Sequence, residues 1–271
     1  MATVLDSIIA GVREDLAERR LSVGLDAMRR QAAEAAPALN AHAALQNGRA
    51  DEAGVRIISE VKRSSPSKGS LAPITDPAAL AAAYESGGAS VISVLTEQRR
   101  FNGSLADLSA VRAAVQIPVL RKDFMVDEYQ FYEARAYGAD LVLLIAAALD
   151  DAQLRDYMAL THQLGMNALV EAHTEEEIGR AVSAGATIVG VNVRNLKTLD
   201  VDVDHYSAMA RHLPADAVRV AESGVDGPAV VRDYAAQGAD AVLVGEALVR
   251  HGDPESAVRE FRAASLTKEA M

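Results

Sequence analysis

Ile57-Ile58-Ser59-Glu60-Val61-Lys62-Arg63-Ser64-Ser65-Pro66-Ser67-Lys68-Gly69 begins as an apolar, β-prone run and ends in two opposite charges set two residues apart. On a strand, residues i and i+2 point the same way, so Glu60 and Lys62 share one side of a sheet. A loop rich in Ser, Pro and Gly follows at once, without the GxGxxG that a dinucleotide-binding open sheet carries after its first strand. Two readings fit this stretch alone. One is an edge strand with an ordinary ion pair; the other is the rim of an active site, where a strand delivers ionisable groups to a hydroxyl-rich loop.

Working outward, short apolar strands alternate with helices of about ten residues from Arg56 onward. The strands are expected at 56–62, 90–96, 118–123, 139–147, 168–172, 188–194, 218–223 and 241–246. Asp76 before Pro77 reads as an N-cap with proline at the first helical position, and Thr174-Glu175-Glu176-Glu177 as a capping box. Gly138, Gly165, Gly185 and Gly238 stand where a left-handed residue ends a helix, and Pro118 starts its strand, where a missing donor is tolerated. Gly-Ala, a small polar residue and an apolar strand recur at Gly88, Gly138, Gly185 and Gly238, about every 50 residues, or two strand–helix units. The marked strands are the second, fourth, sixth and eighth. Eight short, even units with an alternate-strand signature predict an α/β fold, a closed (β/α)8 TIM barrel, over an open doubly wound sheet.

Upstream, residues 4–18 follow the spacing of an amphipathic helix, and 22–34 and 38–46 continue it more weakly, with Leu21, Leu25, Met28, Leu39 and Leu45 as expected contacts. Asn47-Gly48 breaks the pattern. Residues 1–50 are therefore expected to be a helical extension docked on a single barrel domain spanning 1–271, since so short a block cannot build its own core.

Composition narrows the function. The chain has 271 residues, the size of one such barrel, and half are hydrophobic. With no Cys, disulfides, thiolate catalysis and Cys-ligated zinc are excluded. The six His are scattered without HxH or HxxxH pairs, so no metal is expected. A net charge of −11 without a basic run argues against nucleic acid. The first residues interleave charge with apolar side chains rather than forming a signal peptide, and the longest apolar run, Leu141 to Leu149, is too short to span a bilayer. A soluble cytoplasmic protein with no membrane partner is expected.

The odd-numbered strands carry the ionisable groups near their ends: Glu60 and Lys62, then Arg121-Lys122-Asp123, then Glu171, then Glu222. In a barrel these ends converge on the face where active sites lie. Three carboxylates and two lysines would meet around one cavity, or form a purely structural polar cluster. Asn192 and Arg194 end the sixth strand in the same way. Arg194 could fork a substrate carboxylate or hydroxyls, or make a rim salt bridge. Glu222-Ser223-Gly224 and Gly245-Glu246 follow strands seven and eight, the common phosphate site of the fold, and Ser65 adds a donor, which together point to a phosphate-bearing ligand. Phe101 and Phe124 lie just past strands, where they could sandwich a flat ring or anchor their loops.

Glu60-Val61-Lys62-Arg63-Ser64-Ser65-Pro66-Ser67-Lys68-Gly69 closely resembles the signature of the indole-3-glycerol phosphate synthase family of tryptophan biosynthesis. Thr96-Glu97, Phe101-Asn102-Gly103-Ser104, Val119-Leu120-Arg121-Lys122-Asp123-Phe124, Leu169-Val170-Glu171, Val191-Asn192-Val193-Arg194-Asn195-Leu196, Ala221-Glu222-Ser223-Gly224 and Leu243-Val244-Gly245-Glu246 match in the same order. The resemblance covers nearly the whole chain, including the helical extension. It implies a monofunctional carbon–carbon lyase needing no cofactor. Such an enzyme closes the pyrrole ring of 1-(2-carboxyphenylamino)-1-deoxyribulose 5-phosphate with loss of carbon dioxide and water.

The resemblance also implies roles. Lys122 would be the general acid and Glu171 would serve the proton transfers of dehydration. Lys62, held by Glu60, would contact the substrate and share acid duty. Asn192, Glu222 and Ser223 would orient the reacting part, with Arg194 near the carboxylate or hydroxyls. Phe101, Phe124 and Leu143 would line the anthranilate pocket, and Ser65, Gly224, Gly245 and the Glu246 backbone would ring the phosphate. Ring closure needs a cation aimed at a developing alkoxide, and a lysine in a partly desolvated site can donate a proton near neutral pH. The small phosphosugar–anthranilate substrate is the one ligand expected, and the chain is expected to be a monomer or a weak homodimer. Residues 63–70 are expected to form a mobile lid. A Schiff-base aldolase using Lys62 or Lys122, or a barrel that only binds a phosphorylated ligand, would share most of these features.

Overall fold

Runs of β-branched and leucine residues too short for helices form the wall of the molecule, and helices that follow them pack over its outer face. The computed structural model describes residues 3–46, 48, 54–71, 73–194, 200–250 and 252–266. The strands are β1 (Arg56–Val61), β2 (Ser64–Ser65), β3 (Gly69–Ser70), β4 (Val91–Leu95), β5 (Val119–Lys122), β6 (Leu141–Ile145), β7 (Asn167–Ala172), β8 (Ile188–Asn192), β9 (Val218–Glu222) and β10 (Ala241–Val244). The helices of the extension are α1 (Val4–Ser22), α2 (Leu25–Glu34) and α3 (Ala41–Leu45). Those around the barrel are α4 (Pro77–Ser86), α5 (Leu105–Ala114), α6 (Tyr129–Ala136), α7 (Asp151–Gln163), α8 (Glu175–Ser183), α9 (His205–Ala210), α10 (Pro228–Ala236), α11 (Glu246–Arg250) and α12 (Pro254–Ala264).

Among the described residues, β1 and β4 to β10 pair in parallel and close on themselves in the order β1-β10-β9-β8-β7-β6-β5-β4. Closure is explicit at Ile58, which registers with Val91 of β4 on one side and Leu243 of β10 on the other. This is the (β/α)8 barrel. The predicted strands overran by one or two residues at most C-terminal ends: Lys62, Asp123, Arg194, Ser223 and Gly245 lie just past the ladder, where the chain turns toward the next helix. Ala146 and Ala147, read as strand, belong to a 3₁₀ turn over Ala146–Ala148. Within residues 63–70, expected to form a mobile lid, β2 and β3 pair as a small antiparallel hairpin.

Side chains alternate as the pleat demands. Ile58, Leu120, Leu141, Leu143, Leu169, Ile188, Val220 and Leu243 pack inside the barrel, while their neighbours Ile57, Val119, Val142, Val170, Val189 and Val242 pack outward against the helices. The Gly-Ala repeat has a structural cause. Its four glycines have φ between +88° and +96°, which lets the chain leave a helix and drop into the next strand. At two of the four sites the polar residue then holds the neighbouring strand, Asp140 accepting from Val119 N at 2.8 Å and Asp240 from Arg219 N at 3.0 Å.

Capping follows the sequence in part. Asp76 accepts from Ala79 N. Thr174 accepts from Glu177 N, but the Glu177 carboxylate reaches His173 N at 2.6 Å instead of Thr174 N, so the box is only half formed.

The extension touches both ends of the barrel. Asn167 Oδ1 accepts from Ala41 N (2.9 Å) and His42 N (3.3 Å), and Asp140 Oδ1 accepts from Leu39 N (2.8 Å). This seats α3 across the strand N-termini, with Ala41 and Leu45 fully buried in the inner core. Met28 is also buried and Leu25 packs beside it, but Leu39 is 38% and Leu21 89% exposed. Neither leucine joins the buried core as expected: Leu39 is held through its backbone N–H, and Leu21 sits on the last turn of α1, beyond the stripe that docks. Asn47 lies outside the described residues.

Candidate active site

Ile58, Leu120, Leu169 and Val220 form an apolar ring from alternate strands β1, β5, β7 and β9. Two residues further along the same strands stand Glu60, Lys122, Glu171 and Glu222. The period of two keeps them on the inner side, so the tier above the apolar ring holds one ammonium and three carboxyl groups. Lys62, one step past Glu60, adds a second ammonium and pairs with Glu60. Lys122 Nζ lies 3.6 Å from Glu171 Oε2 and 3.7 Å from Glu222 Oε2. Asn192 Nδ2 donates to Glu171 Oε1 at 3.1 Å, and Asn192 Oδ1 accepts from Arg194 N at 2.9 Å. Gly190 makes room, since a Cβ there would overlap Glu222 Oε1; a Cβ at Gly245 would come within 2.8 Å of Glu60 Oε2.

Burial and charge set the protonation of this tier. Burial works against ionised Glu60, but Lys62 and Lys122 outweigh it and hold its pKa below the ordinary carboxylate value. Burial, joined by the repulsion of Glu171, pushes the pKa of the Glu222 carboxyl well above its ordinary value. Burial likewise works against charged Lys122, yet Glu171, Glu222 and Glu60 together raise its pKa above that of a free lysine. Three carboxyl groups around one ammonium overcome the desolvation, and the amine is held in its charged form.

Every site residue named from the sequence lines one cavity of about 390 Å³. Phe101 and Phe124 face each other there with ring centroids 6.1 Å apart and planes tilted by 40°, and Leu143 joins them on the lining. Ser65, Ser223, Gly224, Gly245 and Glu246 supply small and polar lining. Ser223 and Gly224 both have φ of +72°, so the chain turns sharply beneath the cavity, and Tyr234 Oη donates to the Ser223 carbonyl at 3.2 Å. The Glu246 carboxylate is engaged by Lys68 at 2.8 Å and by Arg250. Burial lowers the pKa of the Arg194 guanidinium, which also lines the cavity.

Arg121 belongs elsewhere. It points out of the barrel, fully buried, with Nη2 donating to Asp123 (3.0 Å) and Glu133 (2.9 Å) and Nε to Thr96 Oγ1 (3.1 Å). There the structural-cluster reading holds. Sequence reasoning also missed the roof: Val4, Leu5 and Ile8 of α1 reach the cavity, as does Val201. The signal was present in the apolar spacing of residues 4–8, but spacing alone does not say which surface a helix covers.

Fold and site together define a (β/α)8 barrel with a cluster of lysines and carboxyl groups at the C-terminal ends of its strands. Residues 5–261 match the family described as indole-3-glycerol phosphate synthase. The indole-3-glycerol phosphate synthase of Micrococcus luteus is 68% identical over 266 residues, 98% of this chain and 99% of the relative. That of Mycolicibacterium smegmatis is 60% identical over 260 residues, covering 96% and 94%. Among solved structures, 3-hexulose-6-phosphate synthase from Salmonella typhimurium aligns with a TM-score of 0.64 at 17% identity, covering 78% of this chain and 99% of that one; it shares the fold. This chain belongs to the indole-3-glycerol phosphate synthase family, and is a carboxy-lyase of tryptophan biosynthesis.

Proposed function

We propose that Lys122 is the general acid and Glu171 the general acid–base of a ring closure. In it, 1-(2-carboxyphenylamino)-1-deoxyribulose 5-phosphate loses carbon dioxide and water to give indole-3-glycerol phosphate. The observation that carries this is the placement of one charged Lys122 within 3.6 Å of Glu171 and 3.7 Å of Glu222. As the ring carbon attacks the ketone, negative charge grows on the ketone oxygen, and a preset ammonium stabilises and then protonates it. Carbon dioxide leaves from the same ring carbon. Glu171, oriented by Asn192, then takes the proton from the carbon next to the new hydroxyl, and that hydroxyl departs as water. Lys62 and Glu60 support the first donor.

Phe101, Phe124 and Leu143 would seat the anthranilate ring, and Arg194 its carboxylate. Ser65, Gly224, Gly245 and the backbone of Glu246 would receive the phosphate, and Asn192, Glu222 and Ser223 would orient the reacting part. Fixing both ends of the substrate keeps the reacting carbons close. The raised pKa of Lys122 speaks against the aldolase reading, because a Schiff base begins from a neutral amine. The contacts of α1, α2 and α3 with the barrel support treating residues 1–50 as an extension of a single domain. We take the chain to act in the cytoplasm as a monomer or weak homodimer. Its net charge of −11 supports the absence of a nucleic-acid partner. Among the described residues no helix is long and apolar enough to cross a membrane.

The test is turnover of the carboxyphenylamino-deoxyribulose phosphate followed by indole fluorescence. Lys122→Ala and Glu171→Gln should each lower kcat by at least about a hundredfold. Near-normal turnover in both would sink the assignment.

A further inference from the structure

His173 lies two residues beyond Glu171, where β7 runs out, and has no part in the chemistry above. Its ring Nδ1 is 2.7 Å from the carbonyl oxygen of Asn192. A carbonyl only accepts, so Nδ1 carries the proton. The carbonyl of His173 in turn accepts from His205 Nε2 at 2.6 Å, which fixes the proton of that ring as well. The two imidazoles stack with centroids 4.5 Å apart and planes 30° apart. The His173 backbone N–H donates to the Glu177 carboxylate at 2.6 Å.

These bonds fall at a particular place. Backbone pairing of β7 with β8 ends at Ala172 and Val191, so the next rung, from residue 173 to residue 192, is made by the imidazole. Asn192 begins the segment that leaves β8, and His205 opens α9, where that segment ends. Within it, Arg194 bridges Val201, and both line the cavity. His173 thus grips the segment at both ends, from the exit of the strand that carries Glu171.

We propose that His173 is a positioning residue for the reaction. By holding the Asn192 carbonyl through its ring and His205 through its own carbonyl, it sets the placement of Asn192 and Arg194 relative to Glu171. The inference rests on the roles given above to Glu171, Asn192 and Arg194. A side chain that only filled space would be replaceable by another ring, whereas a positioning donor is not.

Steady-state kinetics on purified variants separate the two. His173→Phe keeps a stacking ring without a donor, and kcat should fall about tenfold or more, because displacement of an oriented group is costly in rate. His173→Asn offers an amide N–H near the position of Nδ1 and should restore kcat to within about threefold of wild type. His205→Leu releases only the far end, so KM should rise about threefold or more while kcat stays within about twofold. The proposal is overturned if His173→Phe lowers melting temperature with kcat unchanged, if His173→Asn is no better than His173→Phe, or if His205→Leu leaves KM unchanged. The last arm decides alone should His173→Phe not fold. Glu171→Gln, run alongside, reports on the underlying site: an active Glu171→Gln removes that reading, whereas an inactive Glu171→Gln beside a fully active His173→Phe removes only this one.

Discussion

Glu222 shows how the surroundings of one residue set its acidity. Two ammonium groups face three carboxyl groups in the tier, and burial with the repulsion of Glu171 raises the pKa of Glu222. A buried carboxyl with a raised pKa contributes stability that is fully present below the ordinary value of 4.5 and is lost as pH rises through the raised one. Glu222→Gln has the shape of the neutral acid and cannot ionise. Its stability relative to wild type in urea unfolding should therefore grow as pH rises above 4.5. Parallel stability–pH curves for the two proteins would contradict this. That Glu222 belongs to the site could be read from its place at a strand end. Its raised pKa could not, because it depends on burial and on how closely Glu171 and Lys122 approach, and Gly190, which makes room for the carboxyl, looks in sequence like any strand glycine.

Among the elements, α1 has a buried part and an idle one. Leu16 is 3% exposed and packs with Met28 and Tyr129, while Leu21 is 89% exposed. Leu16→Ala should cost about 2–5 kcal/mol, and Leu21→Ala should stay within about 0.5 kcal/mol of wild type by chemical denaturation. Equal losses would mean that the helix docks differently. Ion pairs of Arg19 with Glu133, Arg20 with Asp127 and Arg99 with Glu14 and Asp15 fix the direction of α1 across the barrel. The helix itself was legible from its apolar period. Its seat was not, since the partners lie about a hundred residues away and no local pattern announces them. The β2–β3 hairpin escaped notice for the opposite reason: its strands are two residues each, too short to show a period.

At the scale of the molecule, the extension joins the two faces of the barrel, with α3 below and the start of α1 above. Leu45→Ala should cost about 2–5 kcal/mol and leave KM unchanged, because the strand N-termini serve stability. Leu5→Ala should instead raise KM about threefold or more, by loosening the roof. If the two variants exchanged these effects, the assignment of faces would be wrong. Eight strands, their order of charge and the alternate-strand repeat were all legible, because a barrel repeats one unit and each unit carries its own punctuation. What encloses the cavity was not, because the extension is outside that repeat. The plug has a further consequence. Loss of carbon dioxide from a carboxylate takes up one proton per turnover, and beneath the charged tier lie Ile58, Leu120, Leu169 and Val220, then Leu45, none of which can relay one. On the proposed mechanism the barrel would work as a one-ended vessel: protons, like substrate, would come in from above, past the hairpin and the first turn of α1, and Lys122 would be recharged from the mouth rather than through the wall.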